Sequence, residues 1–267
     1  LSDHDLPERP VAITFDDGYQ DNLVHAKPIL ESFRIPATVF VTTGFLDNSA
    51  EVWSDELARL ILLSREDPFR LLPLLALGVD KDLRFEASDK GWHAWEPPGN
   101  LRQWVYRTLY DRLLYAGDQA RTEAIERVKS WCGEEPGREE RAAFLTSSEL
   151  TELASSPWIE IGAHSATHPV LAHLDPSLQR FEVATSKHIL EKRTGKTVCS
   201  FAYPYGKKNH FNPDTIRALQ SAGFQCGCAN YGRLVTKKTS RWILPRYQIL
   251  NWQGDVLANE MSRWYRA

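Results

Sequence analysis

Short apolar runs, each stopping at a polar, glycine or proline residue and most followed by a segment of helical period, set the strongest limit on what this chain can fold into. Residues 11–15, 37–41, 158–163, 198–202, 224–228 and 242–244 are the runs. Residues 23–33, 176–192, 213–222 and 255–265 carry the helical pattern. Strands so short and apolar need cover on both faces, and intervening helices supply it, so the alternation predicts an α/β chain with a parallel sheet and crossover helices. Pro176 and Pro213 open two of the helical segments, where a first-turn N–H would have no partner anyway.

The rhythm breaks between residues 64 and 144, where helical patterns at 101–115 and 118–131 occur without a β-run. The expected organisation is a barrel from residues 1–63 and 145–267, with a helical insertion of residues 64–144 packed on it. Trp92, Trp95, Trp104, Tyr106, Tyr110 and Trp131 are expected to build the insertion's own small core; a sugar-stacking wall is the alternative.

Composition narrows the function classes. Hydrophobic residues at 42% and charged residues at 25% are ordinary for a globular chain. The net charge of −3 offers no positive field for phosphate backbones, so no nucleic-acid partner is expected. No run approaches the roughly 18 apolar residues of a membrane span. Four cysteines are too few for a disulfide scaffold. Cys226-Gly227-Cys228 lacks the two-residue spacer of a zinc ribbon and reads as strand. No signal-peptide pattern is visible, which tilts the expected compartment toward the cytoplasm. Oligomeric state stays open.

Three polar clusters directly follow apolar runs: Asp16-Asp17-Gly18, His164-Ser165-Ala166-Thr167-His168 and Pro204-Tyr205-Gly206. The carboxyl ends of barrel strands converge on one mouth, so the clusters can share one site. Adjacent carboxylates raise each other's pKa unless something separates their roles. A bound divalent cation does so: one Asp ligates and the other stays free as a base. His164 and His168, four apart, can point at the same ion, and one carboxylate with two imidazoles leaves open positions, as a catalytic site requires. Without such an ion, the Asp pair reads as a turn or helix cap. Thr42 and Thr43, closing the second run, read as an ordinary turn.

Thr14-Phe15-Asp16-Asp17-Gly18, the His164 to His168 cluster and Phe201-Ala202-Tyr203-Pro204-Tyr205-Gly206 resemble, in order and context, the first three motifs of the polysaccharide deacetylases, the NodB-homology or carbohydrate esterase family 4 fold. The resemblance covers about residues 9–48 and 146–250. It implies a distorted (β/α)7-type barrel that removes acetyl groups from an N-acetylhexosamine in a polysaccharide, oligosaccharide or activated sugar, using one divalent metal. Zinc is the first choice, with cobalt, nickel, manganese and iron also suited to the donors. Asp17, His164 and His168 would be the ligands, Asp16 the general base, and the Tyr205 N–H part of an oxyanion hole.

Two departures stand out. Ala202 occupies the place of the family's base-orienting Arg, and Arg246, after Trp242-Ile243-Leu244-Pro245, is the replacement candidate. No His occurs beyond His210, so the family's late His is missing; His210 is the first candidate acid, with His25, His173 and Asp16 itself behind it. The departures keep two alternatives open: a same-fold hydrolase of another amide or formamide, and a catalytically weak sugar-binding protein.

Overall fold

The computed structural model describes residues 9–47, 51–76, 92, 94, 96–133 and 143–265. Its strands are β1 (Ile13–Phe15), β2 (Ala37–Val41), β3 (Ile159–Ala163), β4 (Ser200–Ala202) and β5 (Cys226–Cys228). All neighbours are parallel, in the spatial order β1-β2-β3-β4-β5. Sequential parallel strands joined by crossovers form the wall of a distorted (β/α) barrel. The strands begin where pairing can begin. Ile13 pairs with Ala37, and the residue before Ala37 is Pro36, which has no N–H for the ladder. Residues 11 and 12 are therefore outside the strand, and Val11 is exposed. The expected run at 242–244 is reduced to one parallel bridge between Leu244 and Cys228.

In chain order the helices are α1 (Lys27–Phe33), α2 (Trp53–Leu62), α3 (Leu71–Leu74), α4 (Leu101–Leu113), α5 (Asp118–Cys132), α6 (Ser147–Ser155), α7 (Pro176–Thr194), α8 (Pro213–Ser221) and α9 (Gly254–Trp264). A wider helical turn, Asn22–Ala26, leads into α1. Among the described residues no helix is long and apolar enough to cross a membrane.

The chain forms two compact units. In the barrel unit, Val39 and Val41 of β2, Ile159 and Ile161 of β3, and Phe201 of β4 pack with Leu150, Leu153, Val183, Leu190 and Leu219 of the helices. Phe40 alternates to the other face of β2 and meets Ala202, Cys228 and Leu244. The sheet is thus apolar on both faces, as its sequence requires, and chemistry is left to the strand ends. Thr146 caps α6 reciprocally with Glu149, the device that satisfies two orphan N–H groups at once.

The second unit lies between residues 50 and 142. Leu57, Leu60 and Ile61 of α2 share one core with Leu101, Val105 and Leu109 of α4 and Val128 of α5. This is why the unit takes in α2 and starts before residue 64. Tyr106 and Trp131 are buried in that core, and Trp92, Trp104 and Tyr110 pack against it, which supports the small-core expectation. Trp95 lies outside the described residues.

Gly162 in β3 is a close-approach position. A Cβ there would collide with the Phe40 ring and lie 2.9 Å from Ser200 Oγ. Gly162→Ala is expected to cost about 1–3 kcal/mol by overpacking, read from the urea midpoint; an unchanged midpoint would mean that Phe40 has room to move.

Candidate active site

Asp16 and Asp17 follow β1 directly. The chain turns sharply there, with Gly18 N–H donating to Asp16 O at 3.0 Å and Thr42 N–H to Asp17 O at 3.2 Å. Gly18 has φ +86°, and a Cβ on it would lie 3.0 Å from Val41 Cγ1. Asp17 itself has φ 74°, so the turn that aims its carboxylate is held by packing against its intrinsic preference.

His164 directly follows β3, and its N–H donates to Val41 O at 3.0 Å. Its Nδ1 lies 2.8 Å from Ala202 O. A carbonyl only accepts, so Nδ1 carries the proton and Nε2 keeps its lone pair, the arrangement of a ligating imidazole. His164 Nε2 and His168 Nε2 lie 3.3 and 3.1 Å from Asp17 Oδ1. That oxygen is buried and has no hydrogen-bond partner. Two nitrogens and one oxygen thus converge within 4.8 Å of one another, the one such metal-capable cluster among the described residues. The donor set fits a divalent transition ion, and an orphaned buried carboxylate oxygen is otherwise hard to account for. Burial works to raise the Asp17 pKa, and His168 and His164 pull it well below the carboxylate range only where they are protonated.

Asp16 has a different partner. Arg246 grips it with both fork nitrogens, NH1 to Oδ1 and NH2 to Oδ2, each at 2.7 Å. The guanidinium also donates to Thr14 Oγ1 at 2.9 Å and Ala229 O at 3.1 Å, and lies over the Phe40 ring. Although burial opposes it, the charge and the two fork hydrogen bonds of Arg246 hold the Asp16 pKa below its ordinary value. The side-chain donor that Ala202 cannot provide therefore arrives from beyond β5, as the position of Arg246 suggested.

Tyr205 follows β4 with φ 60° and Gly206 with φ 63°. Its ring stands edge-on to His168, centroids 4.6 Å apart, and to His210 at 5.7 Å. His210 is buried, and its Nδ1 accepts from Lys207 N–H at 3.3 Å. Burial, with Lys207 and His173 nearby, lowers its pKa to about 4, so it is neutral at pH 7. His25 and His173 are exposed. Thr42 is buried, donating through Oγ1 to His164 O at 3.0 Å, and Thr43 begins a tight turn. Cys226 and Cys228 are free thiols in β5.

Two features were not expected. Tyr19 stacks on Phe144 (4.5 Å), Phe144 meets Phe45 (4.6 Å), and Phe45 approaches His168 (5.9 Å), making an aromatic wall on one side of the cluster. Glu182 of α7 binds the loop between the two histidines. The available signal for Glu182 was its place on the inward face of α7 beside Gln179, Val183, Ser186 and Leu190. A buried acid on such a face needs dedicated donors.

A family model described as polysaccharide deacetylase matches residues 3–62 and 123–227. The chain belongs to the polysaccharide deacetylase family. A relative from Bacillus subtilis (strain 168), "Putative polysaccharide deacetylase YxkH", is 26% identical over 105 residues, 39% of this chain. The chain spans only 36% of the length of that curated relative. Among solved structures, the Streptococcus pyogenes deacetylase PplD in complex with acetate aligns with a TM-score of 0.57 and 19% identity, over 98% of this chain and 74% of that one. The de-N-acetylase from Aggregatibacter actinomycetemcomitans gives 0.54 and 16%, over 96% and 76%. IcaB from Ammonifex degensii gives 0.51 and 17%, over 98% and 75%. At these identities the three share the deacetylase fold with this family member.

Arg246→Met would leave Asp16 as an uncompensated, largely buried carboxylate. The expected cost is up to about 3 kcal/mol at pH 7, limited because the Asp16 side chain keeps 29% exposure. The folded pKa of Asp16 lies below its unfolded value, so the pair's stabilisation is fully present above roughly pH 4 and fades as pH falls through the folded value. Urea unfolding of both proteins between pH 3 and 7 should therefore show their difference shrinking toward the acid end.

Proposed function

We propose that this chain is a metal-dependent N-deacetylase acting on an N-acetylhexosamine in a glycan or activated sugar. The observation that carries the reading is the division of labour between adjacent carboxylates: Asp17 Oδ1 faces two imidazole Nε2 atoms without a hydrogen bond, while Asp16 is held separately by Arg246. Asp17, His164 and His168 would hold one divalent ion, zinc by preference. When bound, it supplies Lewis-acid polarisation of the amide carbonyl and a lower pKa for water.

The remaining steps fall to the chain. Asp16, ionised and oriented by Arg246, accepts the proton of the water that attacks the amide carbon. The His164 ring keeps Nε2 toward the site because its Nδ1–H donates to Ala202 O. The Tyr205 backbone N–H donates to the carbonyl oxygen as it becomes an oxyanion, and the positive φ of Tyr205 and Gly206 supports that role by turning the loop back sharply after β4. In this reading His210 backs the Tyr205 ring, since a neutral imidazole has no extra proton to deliver. Asp16 then passes that proton to the leaving nitrogen, and cleavage of the C–N bond gives acetate and the free amine.

Acetate release from N-acetylated glycans and activated sugars, measured with chelator and with added divalent ions, tests the reading. Chelator-sensitive release is expected; release only from a non-sugar amide would move the substrate class, and none from any amide despite stoichiometric metal would overturn it. Asp16→Asn should keep the metal and lose about 100-fold or more in kcat, the usual scale of a general base. His164→Ala should lose metal and activity together; retained stoichiometric metal would refute the ligand assignment.

A further inference from the structure

The loop that carries both imidazoles is held from outside the ion cluster by the segment after β2 and by one buried carboxylate. Ser165 and His168 have φ 64° and 61°, a conformation that non-glycine residues keep only where neighbours enforce it. Within the loop, His168 N–H donates to Ser165 Oγ at 3.0 Å. From β2's end, Gly44 N–H donates to Ala166 O at 2.7 Å, and Gly44 has no room for a Cβ, which would lie 2.6 Å from that oxygen. The consecutive amides of Ala166 and Thr167 are received by Glu182. Its Oε2 accepts both N–H groups at 2.8 Å, and its Oε1 accepts the Thr167 hydroxyl at 2.8 Å. Glu182 is 6% exposed, so these charge-assisted bonds form away from bulk water and are correspondingly strong.

We propose that Glu182 is the positioning residue that preforms the metal site, locking the loop so that His164 and His168 present Nε2 to Asp17 before any ion arrives. The proposal rests on the reading of Asp17, His164 and His168 as the ligands. Three of the four lone-pair directions of the Glu182 carboxylate that matter for the loop are engaged by adjacent residues 166 and 167, which lie between the two histidines in sequence. A shift of the carboxylate therefore moves the backbone that joins the ligands. Supporting groups of this kind set metal affinity by on the order of 10- to 100-fold.

The test is Co(II) and Zn(II) affinity by competition with a chromophoric chelator, together with the visible spectrum of the Co(II) form, for the wild-type chain, His168→Ala, Glu182→Ala, Glu182→Gln and Thr167→Val. Glu182→Ala is expected to bind on the order of 10- to 100-fold more weakly and with altered Co(II) bands. Glu182→Gln should recover much of the affinity, because the amide oxygen still accepts both N–H groups and the amide NH2 meets the Thr167 hydroxyl. Thr167→Val, which removes one bond of the three, should fall between wild type and Glu182→Ala. A purely structural Glu182 would lower the melting temperature of the metal-free protein and leave affinity and Co(II) bands unchanged well below it; that outcome overturns the proposal. If Glu182→Ala does not fold, Thr167→Val and Glu182→Gln decide, and wild-type affinity with wild-type Co(II) bands in both would overturn it. Wild-type affinity in His168→Ala would instead overturn the ligand reading on which the proposal stands.

Discussion

Two carboxylates side by side at the end of a half-buried strand repel each other and lose hydration together, and this site depends on each having its own counter-group. Arg246 takes both oxygens of Asp16 at 2.7 Å, while the imidazoles of His164 and His168 face Asp17. The two arrangements are not interchangeable. A guanidinium fork satisfies a carboxylate completely and holds it ionised. Two imidazole nitrogens facing the same carboxylate oxygen make a donor set suited to a divalent cation. From this one asymmetry follow the proposed division into base and ligand, the need for an Arg from a distant segment, and the burial of polar groups that an apolar barrel would otherwise exclude.

The barrel supplies convergence, and strain supplies aim. Asp17, Ser165, His168 and Tyr205 are four of the eight non-glycine residues with positive φ among the described residues, and all four belong to the three strand-end clusters. Regular strands cannot turn a side chain back over the sheet end, so each cluster leaves its strand through a left-handed residue. Such conformations persist only where the surroundings over-determine them. Val41 against Gly18, Ala166 O against Gly44 and Asn230 against Gly206 are close approaches that do so.

Much of this was legible in the sequence because it is written in local pattern. The β-runs, the clusters behind them and the His spacing all lie within a few residues of the feature they define, and the structure brings Asp17, His164 and His168 together as their placement suggests. Arg246 was legible only as a cation at a strand's expected end; its grip on Asp16 spans 230 positions. Glu182 was legible only through the inward face of α7, since an acid on a helix otherwise reads as solvated surface. The limits of β1 depended on Pro36, just before the neighbouring strand β2, and the membership of α2 depended on a core shared with α4 and α5, neither of which periodicity reports. The aromatic wall of Tyr19, Phe45 and Phe144 joins rings from three segments and has no local signature.

The most direct test of the account is a crystal structure of the Co(II)-loaded chain, with the ion located by anomalous scattering. The account predicts a single ion bound by Asp17 Oδ1, His164 Nε2 and His168 Nε2, with Asp16 still held by Arg246 and free of the metal. An ion ligated by Asp16, or one seated at Cys226 and Cys228, would contradict it.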